Sequence, residues 1–167
     1  MPAKDPKEMF VLMLSDLRRS TEQSTKTFQE LGQLTDTPEV KEALDARGFV
    51  SDQILAKLDQ CFKIIGEKPV KTTGRTHEVF VEDFRRELAE IQHPIARRLF
   101  VLAKINHLIH FRIAEYVTLI AAADLTGHYA VGVLLETCLA DKLAFAERTR
   151  RLIRNAIETR IAERKAA

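Results

Sequence analysis

Residues 9–32, MFVLMLSDLRRSTEQSTKTFQELG, contain a heptad pattern that is apolar at both ends and polar in the middle. Its members, spaced alternately by four and three, are Phe10, Leu14, Leu17, Thr21, Ser24, Phe28 and Leu31. This spacing is typical of a helix that packs against other helices along one side. We therefore predict a helix over about residues 6–32 whose buried side carries hydroxyl groups at mid-length.

Three more segments of similar length show the same arrangement. The second begins at Thr37 and Pro38, which suit a helix start, and ends at Gly66, a common C-terminal stop. The third opens near Pro94 and continues to about residue 124, and the fourth follows a turn at residues 125–128. Polar residues interrupt each apolar face near its middle: Arg47 and Ser51, Asn106 and His110, and Asp141 or Lys142.

The remaining features fit one all-α domain over residues 1–167. Residues 70–79 resemble a loop, and a shorter helix over about 77–91 is predicted to pack outside the long ones. The chain has only six Gly and five Pro, and no strand pattern competes. Four long helices with short or moderate connections are most simply a four-helix bundle.

Four interruptions at one level of a bundle indicate a shared central feature. Burying an unpaired polar group costs about 1–3 kcal/mol, and burying a charge costs more. Di-metal carboxylate bundles place their site at this height, with Glu and Glu-x-x-His ligands from the four helices.

Four stretches resemble the YciE/YciF family of ferritin-like bacterial stress proteins: MLSDLRRSTEQSTK, LDQCFKIIGEKP, HFRIAEYVTLIAAADLTG and VLLETCLADKLAFAE. The second stretch and the run that begins at His110 are the strongest matches, and the likeness covers about residues 9–157. The resemblance implies a ferritin-like four-helix bundle with one additional short helix, a dimer, a di-iron-type centre and a role in stress.

The positions that align with the family's metal ligands have mostly changed. They are Thr21, Arg47, Val50, Ile109, His110, Arg112 and Asp141. Only His110 and Asp141 keep a residue type that binds metals, and Lys142 stands beside Asp141. Because iron needs carboxylate oxygens to offset its charge, we predict a degenerate centre with no metal cofactor.

We expect a polar network in place of the metal ions. Arg47 would supply the positive charge, since a guanidinium offers five donors in one plane. The expected partners are Arg112, Asp141, Asn106 and the hydroxyl groups of Thr21 and Ser24.

The alternative is an iron- or manganese-binding ferroxidase or peroxide-handling protein with atypical ligands, namely Glu22, His107, His110 and Asp141. His107 and His110 are spaced i, i+3 and can lie toward one face of a helix. The simpler interpretation of this pair is one core histidine and one at an interface. The remaining histidines lie near turns or helix ends and are predicted to be exposed: His77, His93 and His128.

The C-terminal extension, about residues 147–165, is basic and amphipathic, with Arg148, Arg150, Arg151 and Arg154 close together. Such a helix can bind acidic lipid or nucleic acid, which gives a second alternative function. The simpler interpretation is a solvated helix whose arginines pair with Glu147, Glu158 and Glu163. The apolar stripe of the extension favours a dimer contact, and the net charge of +2 makes no case for nucleic acid or membrane.

We therefore predict a non-enzymatic cytoplasmic homodimer that acts through self-association or a protein partner. Cys61 and Cys138 form no CxxC pair and are expected to be reduced and buried. The first ten residues, MPAKDPKEMF, have no apolar signal core, so no targeting segment is expected. Charged and histidine side chains interrupt the most hydrophobic run, about residues 99–123, so no transmembrane span is expected either.

Overall fold

The computed structural model describes residues 3–33, 37–73 and 75–166, with side chains to residue 158. The part of the chain so described forms five helices: α1 Pro6–Gln33, α2 Pro38–Ile65, α3 Arg75–Glu90, α4 Pro94–Leu125 and α5 Tyr129–Ala166. The four predicted long helices are confirmed, and their observed ends agree closely with the predicted ones. The predicted loop at residues 70–79 is too long, because α3 already begins at Arg75.

The helices form two hairpins, α1–α2 and α4–α5, which pack together through α2 against α5 and α1 against α4. The connection between the hairpins runs along α1. It starts beside the first turn, where Lys7 pairs with Glu67 at 3.2 Å, and ends near the last turns, where Arg85 pairs with Glu30. One long crossover of this kind distinguishes ferritin-like bundles from up-down-up-down bundles.

Two apolar clusters fill the two ends of the bundle. One joins Phe10, Leu14 and Leu17 of α1 to Tyr116 of α4 and Leu135 of α5. The other joins the second half of α1 to the first halves of α2 and α4 and to the middle and later part of α5, around Phe145. The predicted seam of α1 is confirmed in full, since all seven of its residues are buried.

The predicted seam of α4 is wrong. The predicted buried side contained Asn106 and His110, whereas the observed one contains Ile109, Arg112 and Tyr116, and His110 is exposed. Because α4 is apolar around most of its circumference, periodicity alone does not distinguish one seam from its neighbour. Packing of the large side chains decides which one is buried.

The C-terminal extension belongs to the bundle for more of its length than predicted. Ala156 is buried, and Leu152 and Ile153 pack against the same apolar cluster as Phe145. Leu152 and Ile153 are therefore partly buried within the bundle, and Ile157 of the same stripe is exposed. No helix in the described ranges combines the length and the apolar surface needed to cross a membrane.

Gly66 ends α2 in the left-handed conformation, with φ +69°, and its N–H and that of Glu67 bond to carbonyl groups of the last turn. A side chain is strained in this conformation by about 1–2 kcal/mol. We therefore expect Gly66→Ala to lower the free energy of unfolding by about 1 kcal/mol in urea titrations.

Gly48→Ala is the matched control on the same helix. An added Cβ there has nothing within 4 Å, so the substitution should stabilise the helix by about 0.5–1 kcal/mol. If both substitutions changed the free energy of unfolding equally, the left-handed conformation of Gly66 would not be the reason that glycine is needed there.

Candidate functional site: a buried basic layer

A polar layer separates the two apolar clusters. Its members come from all four long helices and are all buried: Thr21, Ser24, Arg47, Ser51, Arg112 and Lys142. We call this set the central layer. The prediction of polar residues at one level is confirmed for α1 and α2, and in α5 the buried member is Lys142, with Asp141 only partly buried.

The hydroxyl groups of the central layer are satisfied within their own helices. Thr21 donates to the Leu17 carbonyl at 2.8 Å, and Ser24 donates to the Ser20 carbonyl at 2.7 Å. Ser51 donates in the same way to the carbonyl of Arg47 at 2.9 Å. These i−4 bonds allow hydroxyl side chains to be buried in a helix without a partner on another one.

The Arg47 guanidinium lies between two aromatic rings. Its carbon is 5.9 Å from the centroid of Phe28 and 5.4 Å from that of Phe145, which are cation–π distances. Arg47 is 2% exposed, and its Nε and Nη2 are buried with no hydrogen-bond partner among the described residues. Burial lowers the pKa of Arg47, so holding its charge here is costly.

Lys142 is the third basic side chain of the layer. Its Nζ is 5.8 Å from the centroid of the Tyr116 ring. Burial and the nearby charges of Arg47 and Arg112 hold the pKa of Lys142 well below its usual range. The layer therefore disfavours any additional positive charge.

Arg112 is held by a second, unpredicted set of contacts that includes α3. It pairs with Glu115 one turn along α4 at 2.6 Å, and its Nη2 lies 3.1 Å from Nδ1 of His77. Because a guanidinium can only donate, Nδ1 accepts and the proton of the neutral ring is on Nε2. That nitrogen is 3.1 Å from the Thr27 hydroxyl, which donates to the Gln23 carbonyl.

The prediction that His77 is exposed is wrong, since it is 5% exposed. The loop interpretation of residues 70–79 placed it in solvent, whereas it lies in the first turn of α3, which packs on α1 and α4. Burial and the charge of Arg112 lower the pKa of His77 to about 4. The sequence signal that could have predicted the burial of His77 is its position on the same side of α3 as Phe84 and Leu88, which are also buried. His93 is exposed as predicted, and His128 is partly buried and stacks on Phe10.

The predicted network around Arg47 does not form. Asp141 is partly exposed and pairs with Lys57 at 3.5 Å, at the edge between α2 and α5. Asn106 is partly buried, and its backbone carbonyl lies 2.9 Å from Nδ1 of exposed His110. Acidic oxygen reaches the layer from Glu115, whose pKa is raised mainly by burial.

The four alternative metal ligands lie apart. Glu22 is exposed and faces Arg18 at 3.7 Å, and His107 and His110 are both exposed on α4. Asp141 is the partner of Lys57. Within the described residues no three His, Cys, Asp or Glu side chains come together as a metal site. The residues present therefore do not fit a di-metal centre.

Two other positions that align with the family's metal ligands hold apolar side chains that pack in the bundle. Ile109 is 1% exposed in the core, and Val50 is partly buried against the other apolar cluster. Cys61 and Cys138 are free and buried, as predicted, and burial raises the pKa of the Cys61 thiol to about 12.

His77→Gln tests the contact between α3 and the central layer. At pH 7 we expect a loss of about 1–3 kcal/mol of unfolding free energy, because Arg112 and Thr27 lose a buried partner. Between pH 6.5 and 4 the unfolded chain protonates His77 and the folded chain does not, so the wild type loses stability as pH falls. This contribution is at most about 1.4 kcal/mol per pH unit and is absent from the variant.

Urea titrations of both proteins at pH 7, 6 and 5 measure the difference. His93→Gln, at an exposed histidine, should follow the wild-type pH dependence. Parallel curves for wild type and His77→Gln would show that His77 is not held neutral in the fold.

Residues 5–162 match the family described as "Domain of unknown function (DUF892)". Among solved structures, the E. coli stress protein YciF has a TM-score of 0.88 at 22% identity, covering 93% of this chain and 99% of that one. YcfI from Rhodopseudomonas palustris has a TM-score of 0.84 at 22% identity, covering 88% and 94%.

A Xanthomonas campestris protein has a TM-score of 0.69 at 19% identity, covering 98% of this chain and 100% of that one. A search of curated protein sequences found no match. The family match spans nearly the whole chain and the bundle has the architecture of YciF, so this chain belongs to the DUF892 family of YciE/YciF-like, ferritin-like helical proteins.

Proposed function

We propose that this chain is a metal-free, non-enzymatic member of its family that acts through self-association or a protein partner in stress physiology. The observation that carries the proposal is the burial of Arg47, Arg112 and Lys142 at mid-height of the bundle. In this proposal, the protein's own basic side chains occupy the level at which di-metal bundles hold their ions. The stress role rests on the similarity to YciF, which is a stress protein of E. coli.

The electrostatics of the layer oppose a di-metal centre. Iron and manganese ions require several carboxylate ligands to offset their charge. The two acids beside the layer already have basic partners: Glu115 bonds to Arg112 at 2.6 Å, and Asp141 pairs with Lys57 at 3.5 Å. An incoming ion would also meet Arg47, which has no acidic partner within hydrogen-bonding distance among the described side chains.

The alternative ferroxidase or peroxide-handling function would need Glu22, His107, His110 and Asp141 in one site, and these residues lie on different surfaces. The nucleic-acid or membrane alternative gains no support from the arginine cluster either. Arg150 and Arg151 both pair with Glu147, and Arg148 pairs with Glu42 of α2. Free, buried Cys61 and Cys138 support a cytoplasmic location.

Metal loading tests the proposal directly. After incubation with ferrous iron or Mn²⁺ and desalting, we expect fewer than about 0.1 tightly held ions per chain, because the carboxylate ligands are missing. Element analysis by mass spectrometry measures the content. About two ions per chain, retained in wild type and lost on His110→Ala, would establish the ferroxidase alternative instead.

Self-association is supported by the exposed surface of α4 and α5. Large apolar side chains with at least half of their surface exposed are concentrated on these two adjoining helices: Val117, Leu125, Tyr129, Val133 and Leu143. Large exposed apolar side chains on two helices that pack together are a feature of interaction surfaces. A second copy of the chain is the partner that we propose for it.

We expect Val117→Glu with Val133→Glu to convert the dimer to a monomer, because a symmetric contact between two copies would then have to desolvate four carboxylates. Sedimentation velocity at micromolar protein measures the change. Phe49→Glu on α2, a residue 67% exposed, is the matched control and should remain dimeric. A monomeric wild type would rule out self-association and leave the protein partner.

A further inference from the structure

A cavity of about 570 Å³ is lined by α1, by α4 and by residues 71–73 of the crossover. Its volume is within the range of about 300–1,000 Å³ that is typical of sites for small organic molecules. Two contacts fix the crossover to α1 beside the cavity: the Val70 N–H donates to the Ser15 hydroxyl at 3.0 Å, and Arg19 donates to the Thr72 carbonyl. The walls of the cavity are therefore two helices and a segment that is attached to one of them.

Much of the surface of the cavity is apolar. It comes from Leu12, Met13, Phe111, Ala114 and Leu119. An aromatic ring packs favourably on both a phenyl ring and a thioether, which Phe111 and Met13 offer. The lining therefore suits a ligand with an aromatic body.

Three charged side chains line the same cavity: Asp16 of α1, Glu115 of α4 and Lys71 of the crossover. Arg112 offsets the charge of Glu115 at 2.6 Å, so Asp16 and Lys71 are left as one acid and one base. The side chains of these two residues have no hydrogen bond or ion pair with another residue in the ranges that the structure describes. Asp16 is only partly buried and Lys71 is exposed, so both are accessible to a ligand.

The balance of charge favours a ligand that carries both signs. A cation would pair with Asp16 but be repelled by Lys71, and an anion would meet the opposite arrangement. Burial raises the pKa of Glu115, and the nearby charge of Asp16 adds to the rise, so a positive group is favoured beside these two acids. A zwitterion can place its ammonium group there and its carboxylate group towards Lys71.

We propose that this cavity binds a free amino acid with an aromatic side chain. In this site Asp16 holds the ammonium group, Lys71 holds the carboxylate group, and the ring packs on Met13 and Phe111. No residue of the proposed α4–α5 association surface lines the cavity, so this proposal does not rest on the proposed function. Variants that lose self-association are therefore expected to bind the amino acid as the wild type does.

Isothermal titration calorimetry with four ligands tests which groups the site requires. L-Phenylalanine carries all three groups, whereas phenethylamine lacks the carboxylate, 3-phenylpropionate lacks the ammonium and glycine lacks the ring. We expect one phenylalanine site per chain and no measurable binding of glycine. Binding should be about threefold weaker for phenethylamine, because Lys71 is exposed, and at least about tenfold weaker for 3-phenylpropionate, which loses the contact with Asp16.

Two charge variants test the assigned roles. Asp16→Asn should weaken phenylalanine binding about tenfold, because the ammonium group loses its charged partner. Lys71→Met should weaken phenylalanine binding about threefold and should not weaken the binding of phenethylamine, which lacks a carboxylate. Asp52→Asn, at an exposed acid of α2 outside the lining of the cavity, is the matched control and should bind phenylalanine as the wild type does.

Ala114→Phe locates the site independently, since it keeps both charges but fills the cavity. It should abolish phenylalanine binding, and because Ala114 is exposed, the larger side chain is compatible with folding. Circular dichroism checks the fold of each variant. If Ala114→Phe does not fold, the comparison of Asp16→Asn with Asp52→Asn decides the question.

Absence of saturable phenylalanine binding would overturn the proposal. So would phenethylamine or 3-phenylpropionate that binds as tightly as phenylalanine, because one of the two charges would then have no role. Undiminished binding in Ala114→Phe would place the site elsewhere on the molecule.

Discussion

Burial of three basic side chains between two apolar clusters is the constraint on which this structure depends. Arg47, Arg112 and Lys142 come from three different helices and meet at one level. Charged groups are expensive to bury, so each of them needs a local arrangement that offsets the cost. The residues around Arg47, Arg112 and Lys142 provide these arrangements.

The three side chains are accommodated in different ways. Arg112 has an acidic partner, Glu115, and a neutral acceptor, His77. Arg47 rests on the faces of two aromatic rings and keeps two donors unused. Burial and the two guanidinium groups hold the pKa of Lys142 well below its usual range.

His77 connects this layer to the long crossover that gives the fold its ferritin-like topology. The crossover runs along α1, and His77 attaches the start of α3 to Thr27 of α1 and Arg112 of α4. A di-metal bundle joins its helices through shared metal ligands. Here hydrogen bonds through a neutral histidine and a guanidinium join α3, α1 and α4.

The helices, their order, the seven buried positions of α1 and a polar central level could all be predicted from the amino-acid sequence. The spacing of apolar residues and the residues at helix ends predict them, together with the family resemblance. Each of these signals can be recognised within the residues of a single helix. Only the tertiary structure decided which side of α4 is buried, because that helix is apolar on most sides and packing against α1 and α5 selects Arg112 over His110. It also decided that His77 is buried and that Asp141 turns to Lys57, since both contacts join residues from different helices.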